Sequence, residues 1–536
     1  MKLNRLALND KKQWIDAGFA LPSFDLDAVY EKTLSRPTWV HLGAGNIFRA
    51  FPANVQQNIL NAGLADTGII AAEGFDYEIV EKLYRPHDNL GVLVTLKADG
   101  SIEKTVVASI AGALVLDPGH PDWKILKEVF TAPTLQMVSF TITEKGYNLT
   151  DAKGAYMSAV AADFEAGPEA PGSYIGKVAA LLYQRYLAGK FPVAMVSMDN
   201  CSHNGDRLFA AIEAFARHWT EKGSAEPGFL TWINSPDQVS FPWSMIDKIT
   251  PRPDDSVAKM LTESGFDDID TQITSKNTYI STFVNAEEAQ YLVIENLFPN
   301  GRPPLDKGGV IFTDRETVDK VEKMKVCTCL NPLHTALAIY GCLLGYTLIW
   351  KEMRDEDLKK LVEVIGYREG LPVVVDPGII SPRAFIDEVL QKRVVNPFMP
   401  DSPQRIATDT SQKLGIRFGE TIKSYLKSDS LKITDLKLIP LVLAGWLRYL
   451  LALDDEGKPF ELSSDPLLET VRPHLASVKL GDKRDFHGEL APILSDEKIF
   501  AVNLYDAGLG KTVEEYFAEL IAGPGAVRAI LQKYLS

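Results

Sequence analysis

The sequence predicts an α/β N-terminal domain built on a parallel sheet, followed by an all-α C-terminal domain. Three observations predict it. Short, apolar, β-rich runs alternate with helical stretches through the first half. One such run ends in a glycine turn, "HLGAGNIFRAF" at His41–Phe51. From about Glu316 onward, long segments carry apolar residues every three to four positions. Together they describe a Rossmann-like domain over residues 1–300 and a helical domain over 301–536, with the Pro- and Gly-rich "FPNGRPPLDKGG" between them.

Each element has its own signal. "TWVHLGAG" reads as a strand entering a tight turn, and "NIFRAFPANVQQNILNAG" as the helix that follows, with Gly63 near its end. "TGIIAAEG" is a second strand. "KTVVASIAGALVL", "LQMVSFTIT", "FPVAMVSMDN" and "QYLVIEN" supply further strand material. In a doubly wound sheet, ligands bind beyond the carboxyl ends of the strands. "TEKGYN" and "DNCSHNG" follow such ends. The helical half is carried by "ETVDKVEKMKVCTCL", "HTALAIYGCLLGYTLIWKEM", "DLKKLVEVIG", "PRAFIDEVLQKRV", "LIPLVLAGWLRYLLAL" and "VEEYFAELIAG".

The totals exclude several classes. A chain of 536 residues exceeds one ordinary core. A net charge of −15 argues against a general nucleic-acid or anionic-membrane binder, which needs a basic face. Four cysteines in so long a chain cannot form a disulfide framework and fit a reducing compartment. No Cys/His set stands at zinc spacing, so no metal is expected. The N-terminus has no apolar leader core. The apolar run Leu438–Leu453 is shorter than the roughly 20 residues of a membrane span and contains Arg448. A cytoplasmic protein is expected, acting on a small molecule, without nucleic acid or membrane. The sequence carries no signal for assembly and is compatible with a monomer.

The glycine turn has the ingredients of a dinucleotide loop. Gly43 can make the tight turn, and Gly45 allows close approach of the backbone to a pyrophosphate. Asn46, Ile47, Phe48 and Arg49 open the helix. Phe48 stands where a third glycine is usual, so helix and strand must pack differently there. Glu73, at the end of "GIIAAE", can accept hydrogen bonds from ribose hydroxyls and would repel a 2′-phosphate, which favours NAD. Asp76 is a second candidate for that role.

A second set of residues suits carbonyl chemistry. Hydride transfer needs donors at the oxygen that becomes negative, together with a proton source. Asn200 and Asn331 offer uncharged donors, and Lys325 is a candidate acid/base. Asn331 and His334 lie three apart at the head of an apolar helix and can share a face. Arg405 and Lys413 are eight apart and share a face if that segment is helical. Glu144, Lys145 and Asp247 sit in neighbouring polar stretches.

Read together, "HLGAGNIFRAF", "TITEKGYN", "SMDNCSHNG", "MIDKITP", "YLVIENLFPNGRPP", "LNPLHTAL" and "RIATDTSQK" resemble the polyol-specific long-chain dehydrogenases. That family includes mannitol 2-dehydrogenase, fructuronate reductase and tagaturonate reductase. The resemblance covers most of the chain. It implies zinc-independent hydride transfer with Lys325 as acid/base. It also implies Asn200 and Asn331 on the reacting oxygen and His334 on the substrate. Arg405 and Lys413 fall on the sugar-site cations, with Asp247 and Glu144 nearby. Relatives place four residues between the lysine and its asparagine, whereas five separate Lys325 from Asn331 here. One extra residue rotates a regular helix by about 100°. A local bulge or non-helical turn would restore the approach. Lys145 after Glu144 points toward a sugar acid, so D-fructuronate and D-mannonate are the expected pair. Neutral polyols, tagaturonate/altronate, an epimerase with held NAD and a non-catalytic binding protein on the same scaffold are the alternatives.

Overall fold

The computed structural model describes residues Met1–Ser536. The chain forms two compact units: Met1–Leu96 with Ser101–Asp319, and Lys97–Gly100 with Lys320–Ser536.

The first unit is organised by six parallel strands: β1 (Trp39–Leu42), β2 (Ile69–Glu73), β3 (Ile110–Val115), β4 (Met137–Phe140), β5 (Val193–Ser197) and β6 (Val239–Ser240). Their order is β3-β2-β1-β4-β5-β6. The order reverses between β1 and β4, and that switch point is where such sheets bind ligands. Parallel strands are covered on both faces, and their side chains sort accordingly. Val40, Leu42, Val138 and Phe140 join one apolar cluster, while Trp39 and Met137 join another. Helices α1 (Asn46–Ala50) and α2 (Pro52–Asn61) bring Phe48, Val55 and Ile59 to the second cluster. Helices α3 (Tyr174–Gly189) and α4 (Asn204–Glu221) bring Val178, Leu182, Leu208 and Ile212 to the first.

Some local expectations change. The helix after the glycine turn is broken, because Phe51 precedes Pro52 and leaves the helical region at φ −122°, ψ −73°. A residue before proline is pushed out of the helical region by the proline ring. "KTVVASIAGALVL" feeds two sheets. Ile102–Val107 pairs antiparallel with Gly91–Leu96 in a separate four-stranded sheet, and only Ile110–Val115 enters the parallel one. Tyr291–Glu295 lies in a third sheet, between Ser244–Asp247 and Ile311–Thr313. The segment around residue 300 is not a free linker. Leu305 and Val310 are buried in the first unit's core, and Ile311–Thr313 pairs with Tyr291–Glu295. The division therefore falls at Asp319/Lys320 instead of 300/301.

The second unit is helical. Helix α5 (Arg315–Met324) carries the chain into it, a π-helical turn spans Lys325–Cys329, and α6 (Asn331–Leu343) follows. The stretch Arg315–Leu343 is long and apolar enough to cross a membrane, but 78% of its most apolar window is buried inside the protein. Helix α6 packs on α7 (Leu438–Tyr449), where Tyr340 Oη donates to the Leu441 carbonyl at 2.8 Å. Further π-helical turns interrupt the expected helices at Ile365–Gly370, Val389–Arg393 and Gly415–Gly419.

Candidate active site

The glycine loop is built from behind. Trp39 Nε1 donates to Ser139 Oγ at 2.6 Å, and His41 Nδ1 meets the same oxygen at 2.7 Å. His41 Nε2 meets Thr141 Oγ1 at 2.9 Å, and that hydroxyl donates to the Gly43 carbonyl at 3.0 Å. The direction of this last bond makes His41 Nε2 the donor and Nδ1 the acceptor from Ser139. Burial pushes the imidazole down to about 3, so it stays neutral in this chain of bonds. Phe48, where a third glycine was missing, stacks on His41 with ring centres 4.0 Å apart and planes 7° apart. The ring thus fills the helix–strand gap that a glycine would have closed.

Gly43 and Gly45 differ in what they require. Gly43 has φ +99°, and a Cβ there would lie 2.2 Å from the Thr141 carbonyl oxygen. Only glycine fits. Gly45 has an ordinary φ of −85°, and a Cβ there would meet nothing within 4 Å. It opens α1 onto free space, flanked by the partly exposed Asn46 and Ile47. That is the cradle a pyrophosphate needs. Arg49 does not reach it. Its side chain is buried, and Nη2 donates to the Thr282 carbonyl at 2.7 Å on the unit's interior side. Phe48 and Arg49 therefore support the loop from inside, and neither faces the cradle.

Glu73 ties the loop to β2. Its carboxylate accepts from the backbone N–H of Ala44 at 2.9 Å, Phe75 at 2.8 Å and Asp76 at 3.1 Å. Burial raises its pKa, and these three bonds oppose the rise. Asp76 turns elsewhere, accepting from Thr274 Oγ1 at 2.5 Å, and is buried. Of the two acids, Glu73 is the one in contact with the loop.

Across the switch point, Asp199 follows β5. It accepts from Ile142 N–H at 2.9 Å, Thr143 N–H at 2.8 Å and Tyr147 Oη at 2.5 Å. It so pins the segment after β4, where Thr143 adopts φ +64°. Asn200 is the exposed residue next to it. Glu144 and Lys145 are exposed on the pinned segment, with Glu144 3.0 Å from Arg207. Asp247 is buried at the end of its strand. Asn204, by contrast, is structural: its side chain bonds Ser197, Asp199 and Ser244.

In the second unit, the π-helical turn resolves the spacing of Lys325 and Asn331. Leu330 N–H donates to the Lys325 carbonyl at 3.1 Å, closing a turn one residue longer than an α-turn. Lys325 is 5% exposed. Asn331 opens α6 before Pro332, and His334 lies one turn on. Burial holds His334 down to about 4 against the upward pull of Asp401, with smaller lowering contributions from Arg393, Arg417 and Arg405. Arg405 and Lys413 are not on one helix. The helical turn Pro403–Ile406 ends at Ala407, and Asp409, at φ +53°, starts a separate short turn over Thr410–Gln412. The helical-face argument therefore fails, although the two cations do lie near enough to interact. Arg405 pairs with Asp401, and Lys413 Nζ donates to the Thr408 carbonyl.

One residue here was missed. Arg417 Nη1 donates to Thr335 Oγ1 at 2.5 Å, beside His334 on α6. The signal was present, since Arg417 stands four residues after Lys413. Among the described residues, no three His, Cys, Asp or Glu side chains gather as a metal site.

Family models match both units: a mannitol dehydrogenase Rossmann domain over residues 37–307 and a mannitol dehydrogenase C-terminal domain over 317–521.

The chain belongs to the mannitol dehydrogenase family.

Within this family it is 52% identical over 535 residues to a D-mannonate oxidoreductase of Thermotoga maritima, covering 99% of each chain. It is 28% identical to the Escherichia coli D-mannonate oxidoreductase, over 87% of this chain and 92% of the relative. Pseudomonas fluorescens mannitol 2-dehydrogenase, solved as a ternary complex with NAD and D-mannitol, superposes with a TM-score of 0.68. It is 25% identical, covering 100% of this chain and 99% of that one. A solved D-sorbitol dehydrogenase superposes at 0.75 and is also 25% identical, over 97% and 99%.

Proposed function

We propose that this chain is an NAD-dependent oxidoreductase that interconverts D-fructuronate and D-mannonate. The observation that carries the reading is the 52% identity, over 99% of both chains, to a D-mannonate oxidoreductase. Two features support the cofactor reading: a Cβ at Gly45 would meet open space, which leaves room for a pyrophosphate, and Glu73 is bonded to the loop at Ala44, from where it would accept from the ribose. Bound NAD supplies the hydride acceptor for oxidation and, in reduced form, the donor for reduction.

The chain's own residues do the rest. In reduction, the ketone next to the terminal hydroxymethyl group gains hydride at carbon, and its oxygen gains a proton. Asn200 and Asn331 donate hydrogen bonds to that oxygen as negative charge develops on it. Lys325 gives up the proton, and recovers it from the alcohol in the reverse direction. His334, neutral near pH 7, positions a substrate hydroxyl. Arg405 and Lys413 are the candidate sugar-acid cations, and Asp247, Glu144 and Lys145 are further candidates for substrate binding. Four cysteines, none of them in a disulfide, fit a cytoplasmic enzyme.

A substrate panel tests the reading. NADH consumption is followed with fructuronate, tagaturonate and fructose, and the product is identified by chromatography. Fructuronate should react fastest and give mannonate. Faster turnover of fructose or tagaturonate refutes the substrate, and product without net NADH change refutes the reaction class.

A further inference from the structure

A sugar acid differs from a polyol by one carboxylate, and a site that selects the acid needs a cation left uncompensated by the protein. The cations differ in this respect. Arg405 is paired with Asp401 and largely exposed. Arg49 is buried in the first unit against Thr282. Arg417 stands apart. Its guanidinium donates to Thr335 Oγ1, one residue beyond His334, and Thr335 Oγ1 in turn donates to the Asn331 carbonyl at 2.9 Å. No carboxylate approaches it within ion-pair distance. Burial pushes its pKa down to about 10 without any compensating acid. Arg417 lies close enough to Lys413 to help lower that lysine's pKa, after burial, and His334 feels Arg417 as well.

An enclosed guanidinium without a counter-ion is costly, and an anionic ligand removes the cost. One Nη is occupied by Thr335, which fixes the plane of the fork and leaves its other donors for a second partner. Resting on the sugar-acid reading above, we infer that Arg417 is the residue that recognises the substrate carboxylate, with Lys413 beside it. The residue selects acids over neutral ketoses through a bidentate charge-assisted contact. It touches neither the reacting carbonyl nor the cofactor, so its effect falls on KM more than on kcat.

The test compares Arg417→Met and Arg417→Lys with the unaltered enzyme, at fixed ionic strength. The readout is kcat/KM for fructuronate divided by kcat/KM for fructose. Arg417→Met should lower this ratio about 10²-fold, mainly through KM for fructuronate. Arg417→Lys keeps the charge but loses the fork, and should recover part of the loss. Thermal midpoints check that each variant folds. If the methionine variant does not fold, the lysine variant must by itself reduce the ratio about tenfold. An unchanged ratio in a folded variant, or a loss confined to kcat, overturns the inference. An unaltered enzyme that prefers fructose would instead refute the proposed substrate, so the two failures are distinguishable.

Discussion

Leu330 donates its backbone N–H to the carbonyl oxygen of Lys325 at 3.1 Å, so the residue that disturbs the spacing to Asn331 is taken up as one π-helical turn. A π-turn places i and i+5 where an α-turn places i and i+4. Between Lys325 and Leu330 this turn therefore absorbs one residue more than an α-turn would.

Two variants probe that turn. Lys325→Ala should lower turnover with fructuronate by about 10² or more, with the thermal midpoint little changed. Deleting Val326 should convert the turn to α-helix and leave Lys325 in register with Asn331. Activity within about tenfold of the unaltered enzyme is expected if register is what matters, and circular dichroism reports the fold. A Lys325→Ala enzyme with full turnover would remove Lys325 from the mechanism.

The two loop glycines should respond differently. Gly43→Ala places a methyl group 2.2 Å from a backbone oxygen at φ +99°, and is expected to disrupt the loop and lower the thermal midpoint. Gly45→Ala meets open space, so the midpoint of the free protein should hold while the Kd for NADH rises at least tenfold. Equal effects of the two changes, by calorimetry and cofactor titration, would place the pyrophosphate elsewhere.

Glu73 ties the loop and is proposed as the ribose acceptor. Glu73→Gln keeps the size of the side chain but removes the charge that repels a 2′-phosphate. The ratio of kcat/KM for NADH to that for NADPH should fall at least tenfold. A ratio that stays fixed would leave Glu73 with the structural role alone, three backbone N–H bonds to Ala44, Phe75 and Asp76.

Stability should depend on pH through a group far from the chemistry. Glu352 is fully buried against Gly341, with neither carboxyl oxygen hydrogen-bonded, and burial pushes its pKa up to about 9. The folded state therefore holds this proton more tightly than the unfolded chain does. Its contribution is complete below the ordinary carboxylate range and is lost as pH rises toward 9. Glu352→Gln cannot ionise. Its thermal midpoint should exceed that of the unaltered protein at pH 8 and nearly match it at pH 5, the gain at pH 8 corresponding to an unfolding free energy on the order of a few kcal/mol. A midpoint difference independent of pH would contradict the assignment.

The sequence by itself determined the two-part architecture and the strand–glycine–helix loop, and it supplied the candidate site residues. Apolar alternation and a Gly-x-Gly pair after a strand are local properties, so they can be read from the chain. It also exposed the one-residue excess between Lys325 and Asn331. Tertiary structure decided the rest. Packing against His41 gave Phe48 its use, and burial against Thr282 withdrew Arg49 from the cradle. The left-handed Asp409 broke the helix assumed between Arg405 and Lys413. Asp401 neutralised Arg405, while no acid approached Arg417. Which cation stays uncompensated depends on groups brought together from distant parts of the chain, and no spacing in the sequence encodes that.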